Sequence, residues 1–387
     1  MSLLIGIEGT VERSAARITL TAKETAITAS NRPQADSPGA PQVSPGAAEV
    51  SPGAAAVQPA RTVGELGEFG LIALVNAGRT HTPGVLLGPG DDAAVIAAPE
   101  GRFVVTTDML VQDRHFRTDW SSPMDIGRKA IAQNAADVVA MGAVPSGFVV
   151  GLGCPSETPV EFVRELADGM WAEAGRAGAS IAGGDMVRSP MLIISVTAFG
   201  DPRRAPIRLS GARPGDVVAV AGKLGWSGAG LAVLSAGADH AYAGADDPHA
   251  GELVEEFADV VAAHRVPQPP YHAVLDLPDT AEITALTDVS DGLLADLGHI
   301  AESSGVAIDL DTATLAAPEL EAVGKALGVN PLDWILAGGE DHAFAATFAD
   351  SGDLPEGWVR IGQVRPGSGV TVDGTPRTGL GGWESFS

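Results

Sequence analysis

The chain has 387 residues, 45% of them hydrophobic and 19% charged, a globular composition long enough for two ordinary domains. Its 24 basic and 49 acidic side chains leave a formal charge of −25, which argues against nucleic acid and against an anionic membrane surface as partners. The one cysteine, Cys154, excludes an intrachain disulfide, fits a reducing cytoplasm and, within "GLGCPS", reads as buried packing.

The opening "MSLLIGIEGTVERS" lacks the basic region of a signal peptide, and "ARITLTAKETAITA" has mild strand character. "SPGA" then recurs at 37, 44 and 51. A seven-residue period of Ser, Pro, Gly and Ala is no coiled-coil heptad and reads as disordered. Residues 1–61 are therefore expected to be an appendage.

From Val63 the pattern becomes dense. "ELGEFGLIALV" predicts a short helix, and "GRFVVTTDML" a strand over Phe103–Thr107 that ends at Asp108. "MDIGRKAIAQNAADVVAMGA" predicts a helix with Asn134 and Asp137 on one face. The uncharged stretch from Val138 to Ser156 is broken by Pro145, Pro155 and glycines, so it reads as helix end, turn and strand ("SGFVVGLG") rather than a membrane span. Thr158 to Glu161 predicts a capping box with Pro159 at the first helical position, and the helix stops near Gly178. "MLIISVTAFG" predicts a strand buried on both faces. This mixture has no βαβ rhythm and reads as an α+β domain over residues 62–208.

The second half, residues 209–387, reads as an α/β domain, with the boundary in "DPRRAPIRLSGARPGD". "ARPGDVVAVAGKLGWSGAGLAVL" predicts strand, Gly-rich turn and helix; "AEITALTDVSDGLLADLGHIAESSG" predicts strand, turn and a helix stopped by Gly305. "VAIDL" is a strand, "DWILAGGEDHAFAATF" passes from helix through a turn to a strand, and "GVTVDGTPR" is a hairpin with Asp373 and Gly374 at its tip.

Acidic residues recur at the ends of these elements. Asp91 and Asp92 lie in "GPGDDAAVI", Asp108 in "TTD", Asp137 on a helix, Asp185 in "AGGD", Asp288 and Asp291 in "DVSDGL", and Glu340 and Asp341 in "GGED". Singly each has an ordinary reading: Asp291 as a helix cap, Asp185 and Asp341 as turn residues, Asp137 as surface. Together, beside glycines and without thiolates, such hard oxygen ligands select Mg²⁺, Ca²⁺ or Mn²⁺ over Zn²⁺. Glycines also let backbone N–H groups approach phosphate oxygens. The chemistry indicated is metal-assisted phosphoryl transfer from a nucleotide, although no GxxxxGK[ST] loop, protein-kinase motif set or GxSxG elbow is present.

"GEFGLIALV", "GPGDDAAVI", "TTDMLVQDRHF", "KAIAQNAADVVAMGA", "AGGD", "SGARPGD", "LTDVSDGLLADLGHI" and "LAGGEDHAF" occur in the order and spacing of the thiamine-monophosphate kinase family. That family belongs to the aminoimidazole-ribonucleotide-synthetase-like ATP-binding superfamily, and the resemblance runs from about Val63 to Trp383. It implies transfer of the γ-phosphate of ATP to thiamine monophosphate, several Mg²⁺ ions, room for K⁺, and a homodimer paired through the N-terminal sheet. Asp92, Thr106, Thr107, Asp108, Asp137, Asp185, Asp288 and Asp291 match the family's metal positions. Gly184, Asp185 and Ser290 match its nucleotide contacts, and His115, Glu340 and Trp383 its thiamine phosphate contacts. One departure stands out: where the family carries Arg directly before "SGA", this chain has Leu209, with Arg208 before it. Either Arg208 reaches the phosphates after a local shift, or the contact is absent.

No general base is expected, because a phosphate monoester with a second pKa near ~6 is largely a dianion at neutral pH. The alternatives are another ATP-dependent enzyme of the superfamily, of the selenophosphate or ribonucleotide synthetase type, and a non-catalytic divalent-cation-binding protein. The first would want a reactive Cys in an N-terminal Gly-rich loop, and the second has no EF-hand loop to support it.

Overall fold

The computed structural model describes residues 61–89, 93–243, 248–278, 280–349 and 353–377. The SPGA repeats, Asp91, Asp92 and Trp383 lie outside them. The helix expected first is two short ones, α1 (Val63–Leu66) and α2 (Glu68–Asn76), separated by Gly67 at φ 72°. Strands β1 (Val85–Leu87) and β2 (Val95–Ile96) pair antiparallel. Strand β3 (Val104–Val111) does not end at Asp108, because Met109, Leu110 and Val111 continue the ladder against Ser195, Ile194 and Ile193. Then come α3 (Pro123–Ala140), β4 (Val144–Cys154), α4 (Val160–Arg176), β5 (Ile181–Arg188) and β6 (Ile193–Asp201). The capping box expected on α4 does not form: Pro159 is the cap residue, and the Val160 N–H goes to the Arg61 carbonyl. A capping box does form on α3, between Ser122 and Asp125.

The first sheet has the order β3-β6-β4-β5, and α3 and α4 pack on one of its faces. The two helices cross closely at glycines. A Cβ on Gly127 would stand 2.0 Å from the Leu166 carbonyl oxygen, and one on Gly169 would stand 2.1 Å from that of Met124. With helices on one side only, β6 alternates instead of burying both faces: Ile194, Val196 and Ala198 are buried, while Ile193, Ser195, Thr197 and Phe199 are half-buried on the open face. The same alternation puts Thr106, Asp108 and Leu110 on the helix side of β3 and Val105, Thr107 and Met109 on the open side.

The second sheet is assembled from β7 (Val217–Ala221), α5 (Trp226–Ala243), α6 (Pro248–Glu256), α7 (Ala258–Arg265), α8 (Tyr271–Leu275), β8 (Ile283–Asp288), α9 (Leu293–Ser304), β9 (Ala307–Leu310), α10 (Pro318–Leu327), α11 (Pro331–Ala337), β10 (Phe344–Phe348), β11 (Val359–Arg365), β12 (Gly369–Val372) and β13 (Thr375–Pro376). Its order is β13-β12-β9-β11-β7-β10-β8, antiparallel except for β12 on β9. As expected, Gly305 stops α9 in the left-handed conformation at φ 66°, and Asp373 and Gly374 turn the last hairpin with positive φ. One face of the sheet holds Val218, Val220 and Ala345 against Leu293, Leu297 and Ile300. Ala219, Leu286, Phe344 and Ala346 of its other face belong to the same core as α3 and the first sheet. Burying both faces of β8 and β10 brings the end of β8, at Asp288, against α3.

Candidate active site

Helix α3 is the floor of the site. Asn134 is fully buried; its amide donates to the Ala130 carbonyl, and its Oδ1 accepts from the Asp108 N–H at 3.1 Å. Gln133 Nε2 donates to Asp108 Oδ2 at 3.3 Å, and Thr106 Oγ1 donates to Asp137 Oδ2 at 2.9 Å. From the second sheet, Asp288 Oδ2 stands 2.9 Å from His342 Nδ1, both residues buried. Asp291 follows in the turn to α9.

These carboxylates lie close enough to resist ionisation together. Burial, then the charges of Asp288 and Asp108, pushes Asp137 up to about 8, against the Thr106 hydrogen bond. Burial also raises Asp108, opposed by the Gln133 hydrogen bond, and burial with the Asp288 charge raises Asp291. Burial acts to lower His342, but its hydrogen bond to Asp288 and the surrounding carboxylates hold it above the usual imidazole range. Metal-free, Asp137 favours its protonated form at neutral pH, and a bound cation would displace that proton.

The turn bearing Ser290 and Asp291 is fixed by a residue that the motifs alone did not single out. Asp296 Oδ2 accepts the backbone N–H groups of Ser290, Asp291 and Gly292 at 3.0, 3.1 and 3.1 Å. Burial and the Asp288 charge push this carboxyl up to about 7. The signal was the acid four residues after Gly292, placed to reach back over the open end of α9. Asp291 itself does not cap α9, whose cap residue is Gly292. Asp341 is no self-contained turn residue either: it accepts from Gly225 N–H (2.5 Å) and Ser227 N–H (2.8 Å) at the start of α5.

His115 and Glu340 both line a cavity of about 680 Å³ beside the cluster, together with Phe116, Trp120, Lys129 and Trp334. The Glu340 amide donates to the Ser290 carbonyl at 2.7 Å, which couples this cavity to the acidic turn. His115 Nδ1 accepts the Val111 N–H at 3.0 Å, and burial lowers its pKa.

Other expected residues are not brought to the cluster. The Thr107 hydroxyl lies on the open side of β3 and donates to the Val196 carbonyl. Asp185 is exposed on β5; the sheet register puts it in the row Met109–Ser195–Gly151 on that same side, and it accepts the Met186 N–H. Gly184 sits one row away on the helix side, where a Cβ would meet the Val150 carbonyl oxygen at 2.0 Å. Gly183 and Gly184 border a small apolar pocket of about 90 Å³ with Ile72, Val163 and Trp171. Arg208 is exposed and lines a different cavity, with Arg203, Arg204 and Ser210, toward the opposite end of β8 from Asp288. Cys154 is buried, as expected, and among the described residues no helix is long and apolar enough to cross a membrane.

The sequence matches the AIR synthase related protein, N-terminal domain, over residues 90–201 and the corresponding C-terminal domain over 213–374. It is 52% identical to the thiamine-monophosphate kinase of Mycobacterium tuberculosis (strain CDC 1551 / Oshkosh) over 330 residues, 84% of this chain and 93% of the relative. Its fold is similar to the crystal structure of thiamine-monophosphate kinase from Stenotrophomonas maltophilia K279a, with a TM-score of 0.65, 33% identity, and coverage of 79% of this chain and 95% of that one. It is equally similar to the structure of AaThiL complexed with AMPPCP and TMP, with a TM-score of 0.65, 31% identity, and coverage of 85% and 100%.

Proposed function

The chain belongs to the thiamine-monophosphate kinase family of two-domain AIR-synthase-like proteins, and on that premise we propose how its residues serve the reaction. It transfers the γ-phosphate of ATP to thiamine monophosphate, giving thiamine diphosphate and ADP. The observation that carries the proposal is the juxtaposition of the acidic cluster with the aromatic-walled cavity, joined through the hydrogen bond from Glu340 to Ser290.

The donor set fits Mg²⁺. It consists of hard oxygens, and among the described residues no three His, Cys, Asp or Glu side chains are placed to hold one ion by themselves, so waters and substrate phosphates would have to complete the coordination. An open site suits Mg²⁺, which keeps waters and substrate phosphates among its ligands. Thr106, Asp108, Asp137, Asp288 and Asp291 would hold it, with Asp92 as a further candidate. Bound there, Mg²⁺ supplies charge neutralisation and alignment of the two phosphate groups. Gln133 and Asn134 orient Asp108, His342 orients Asp288, and Asp296 holds the turn that carries Asp291. None of these groups needs to remove a proton, since the acceptor phosphate is already a nucleophile at neutral pH.

His115, Glu340 and Trp383 are assigned to the acceptor. Ser290 and Gly184 are assigned to ATP, Gly184 beside the apolar pocket suited to part of a flat base; Asp185, on the open sheet face, and Arg208, in the cavity at the far end of β8, would reach ATP only after a local shift. The open sheet face exposes Phe103, Val105, Met109 and Val187. That apolar surface supports a homodimer, and a second copy there would also cover Thr107 and Asp185. A buried free thiol at Cys154 suits a cytoplasmic setting, and K⁺ remains an additional proposed ion. The test is ADP release measured with a panel of acceptors. We expect turnover with thiamine monophosphate and none with thiamine, aminoimidazole ribonucleotide precursors or selenide. Acceptor-independent ADP release would overturn the assignment.

A further inference from the structure

Lys129 stands apart from the acidic machinery. It projects from α3 two turns before Asp137, and only 2% of it is exposed. Its Nζ lies 3.0 Å from Glu340 Oε2. The same oxygen is 3.5 Å from His264 Nδ1, and that nitrogen lies 3.0 Å from Ser227 Oγ. Glu340 is held from the main chain as well, with φ at 64° and its amide on the Ser290 carbonyl. Its side chain nevertheless keeps 30% of its surface open to the cavity. One carboxylate oxygen is thus committed to Lys129, and no donor among the described residues reaches the other, Oε1.

A buried ammonium is costly to keep unless it is paired. Here its pairing fixes a carboxylate, in a strained backbone position, at the wall of a cavity bounded by Phe116, Trp120 and Trp334. Arg117 already covers one face of the Trp120 ring, at 4.3 Å from its centroid. Asp113, Asp333, Arg114 and Arg117 line the same cavity, but Glu340 is the carboxylate fixed from both side chain and main chain, and aromatic walls with an oriented carboxylate oxygen match a flat organic cation better than a neutral ring.

We propose that Lys129 is a positioning residue for acceptor specificity: it fixes Glu340 so that Oε1 faces the cationic ring of the acceptor, and thereby selects phosphate monoesters that carry a flat cation. The inference rests on the proposed kinase reading and deepens it. Lys129 stays beneath Glu340 and does not touch the transferred phosphate. His264, whose pKa burial and the Lys129 charge lower to about 4, is neutral there, is hydrogen-bonded to Ser227 and adds no second positive charge beside Glu340.

The experiment compares kcat/KM for thiamine monophosphate with that for its 3-deaza analogue, in which a neutral thiophene replaces the thiazolium. Wild type is expected to favour the cation by about tenfold or more, chiefly in KM. In Glu340→Gln and Lys129→Met the preference should shrink to within about threefold, with the KM for ATP unmoved, while Lys129→Arg restores it. The double variant Lys129→Met/Glu340→Gln leaves no buried charge unpaired and should discriminate as poorly as the single variants, so the comparison survives if Lys129→Met fails to fold. A preference retained in Glu340→Gln or in the double variant overturns the proposal. So does an equal loss of kcat for both acceptors in Lys129→Met, which would place Lys129 on the phosphate. If wild type phosphorylates neither acceptor, the kinase reading fails instead.

Discussion

Replacing Asp137 by Asn should stabilise the metal-free protein while abolishing turnover. The Asp137 carboxyl is pushed up from 3.8 to about 8 by burial and by Asp288 and Asp108. In that window the folded state holds a proton that the unfolded state has released, so stability falls as pH rises from about 4 to about 8. Four units at about 1.4 kcal/mol each would cost about 6 kcal/mol. The group is half-buried and coupled to two neighbours that relax with it, so roughly half of this, about 2–3 kcal/mol, is expected in practice. The Asn variant keeps an acceptor for Thr106 and loses the charge. Denaturant melts in EDTA should show little difference between variant and wild type at pH 5, with the variant ahead by about 2–3 kcal/mol at pH 8.5. Added Mg²⁺ should then recover more stability in wild type than in the variant. Parallel pH profiles in EDTA, or equal Mg²⁺ stabilisation of both proteins, would refute the reasoning.

Three other substitutions test the scaffold and the acceptor site. Asp296→Ala leaves three backbone N–H groups without their acceptor and should cost about 2–3 kcal/mol in a thermal or urea melt, whereas Asp296→Asn, which keeps an acceptor oxygen, should stay within about 1 kcal/mol of wild type. Gly127→Ala should destabilise by about 1–3 kcal/mol, because its methyl group would strike the Leu166 carbonyl where α3 crosses α4. Gly175→Ala, with nothing within 4 Å of the added carbon, should instead be neutral or stabilise by up to about 1 kcal/mol. Trp383→Ala should raise the KM for thiamine monophosphate several-fold to about tenfold with the melting temperature and the KM for ATP unmoved; an unstable variant with normal acceptor binding counts against the assignment.

Much of this arrangement was legible because local chemistry and global packing agree. The spacing in "AQNAAD" puts Asn134 and Asp137 on one helical face, and Gly305 and the Asp373–Gly374 pair end α9 and turn the last hairpin as their conformational preferences dictate. Other features depended on partners distant in sequence. The extension of β3 past Asp108 follows from β6, some 80 residues on. An apolar run such as "MLIISVTAFG" does not say whether one face or two will be covered, and only the placement of α3 and α4 decides it. The Thr106–Thr107–Asp108 run was the more readable case. Period-2 alternation already sends Thr107 away from its neighbours, whatever the motif it belongs to. The pairing of Lys129 with Glu340 joins residues 211 positions apart, and nothing in the sequence distinguishes Lys129 from its neighbour Arg128 as the buried one.

The most direct test of the account is to follow the γ-phosphate itself. Wild-type protein is incubated with ATP labelled with ³²P at the γ position, thiamine monophosphate and Mg²⁺, and the products are separated by chromatography. The account predicts label in the terminal phosphate of thiamine diphosphate in equal amount to the ADP released, with none on the protein. Label in inorganic phosphate or bound covalently to the chain, or ADP formed without labelled thiamine diphosphate, would contradict it.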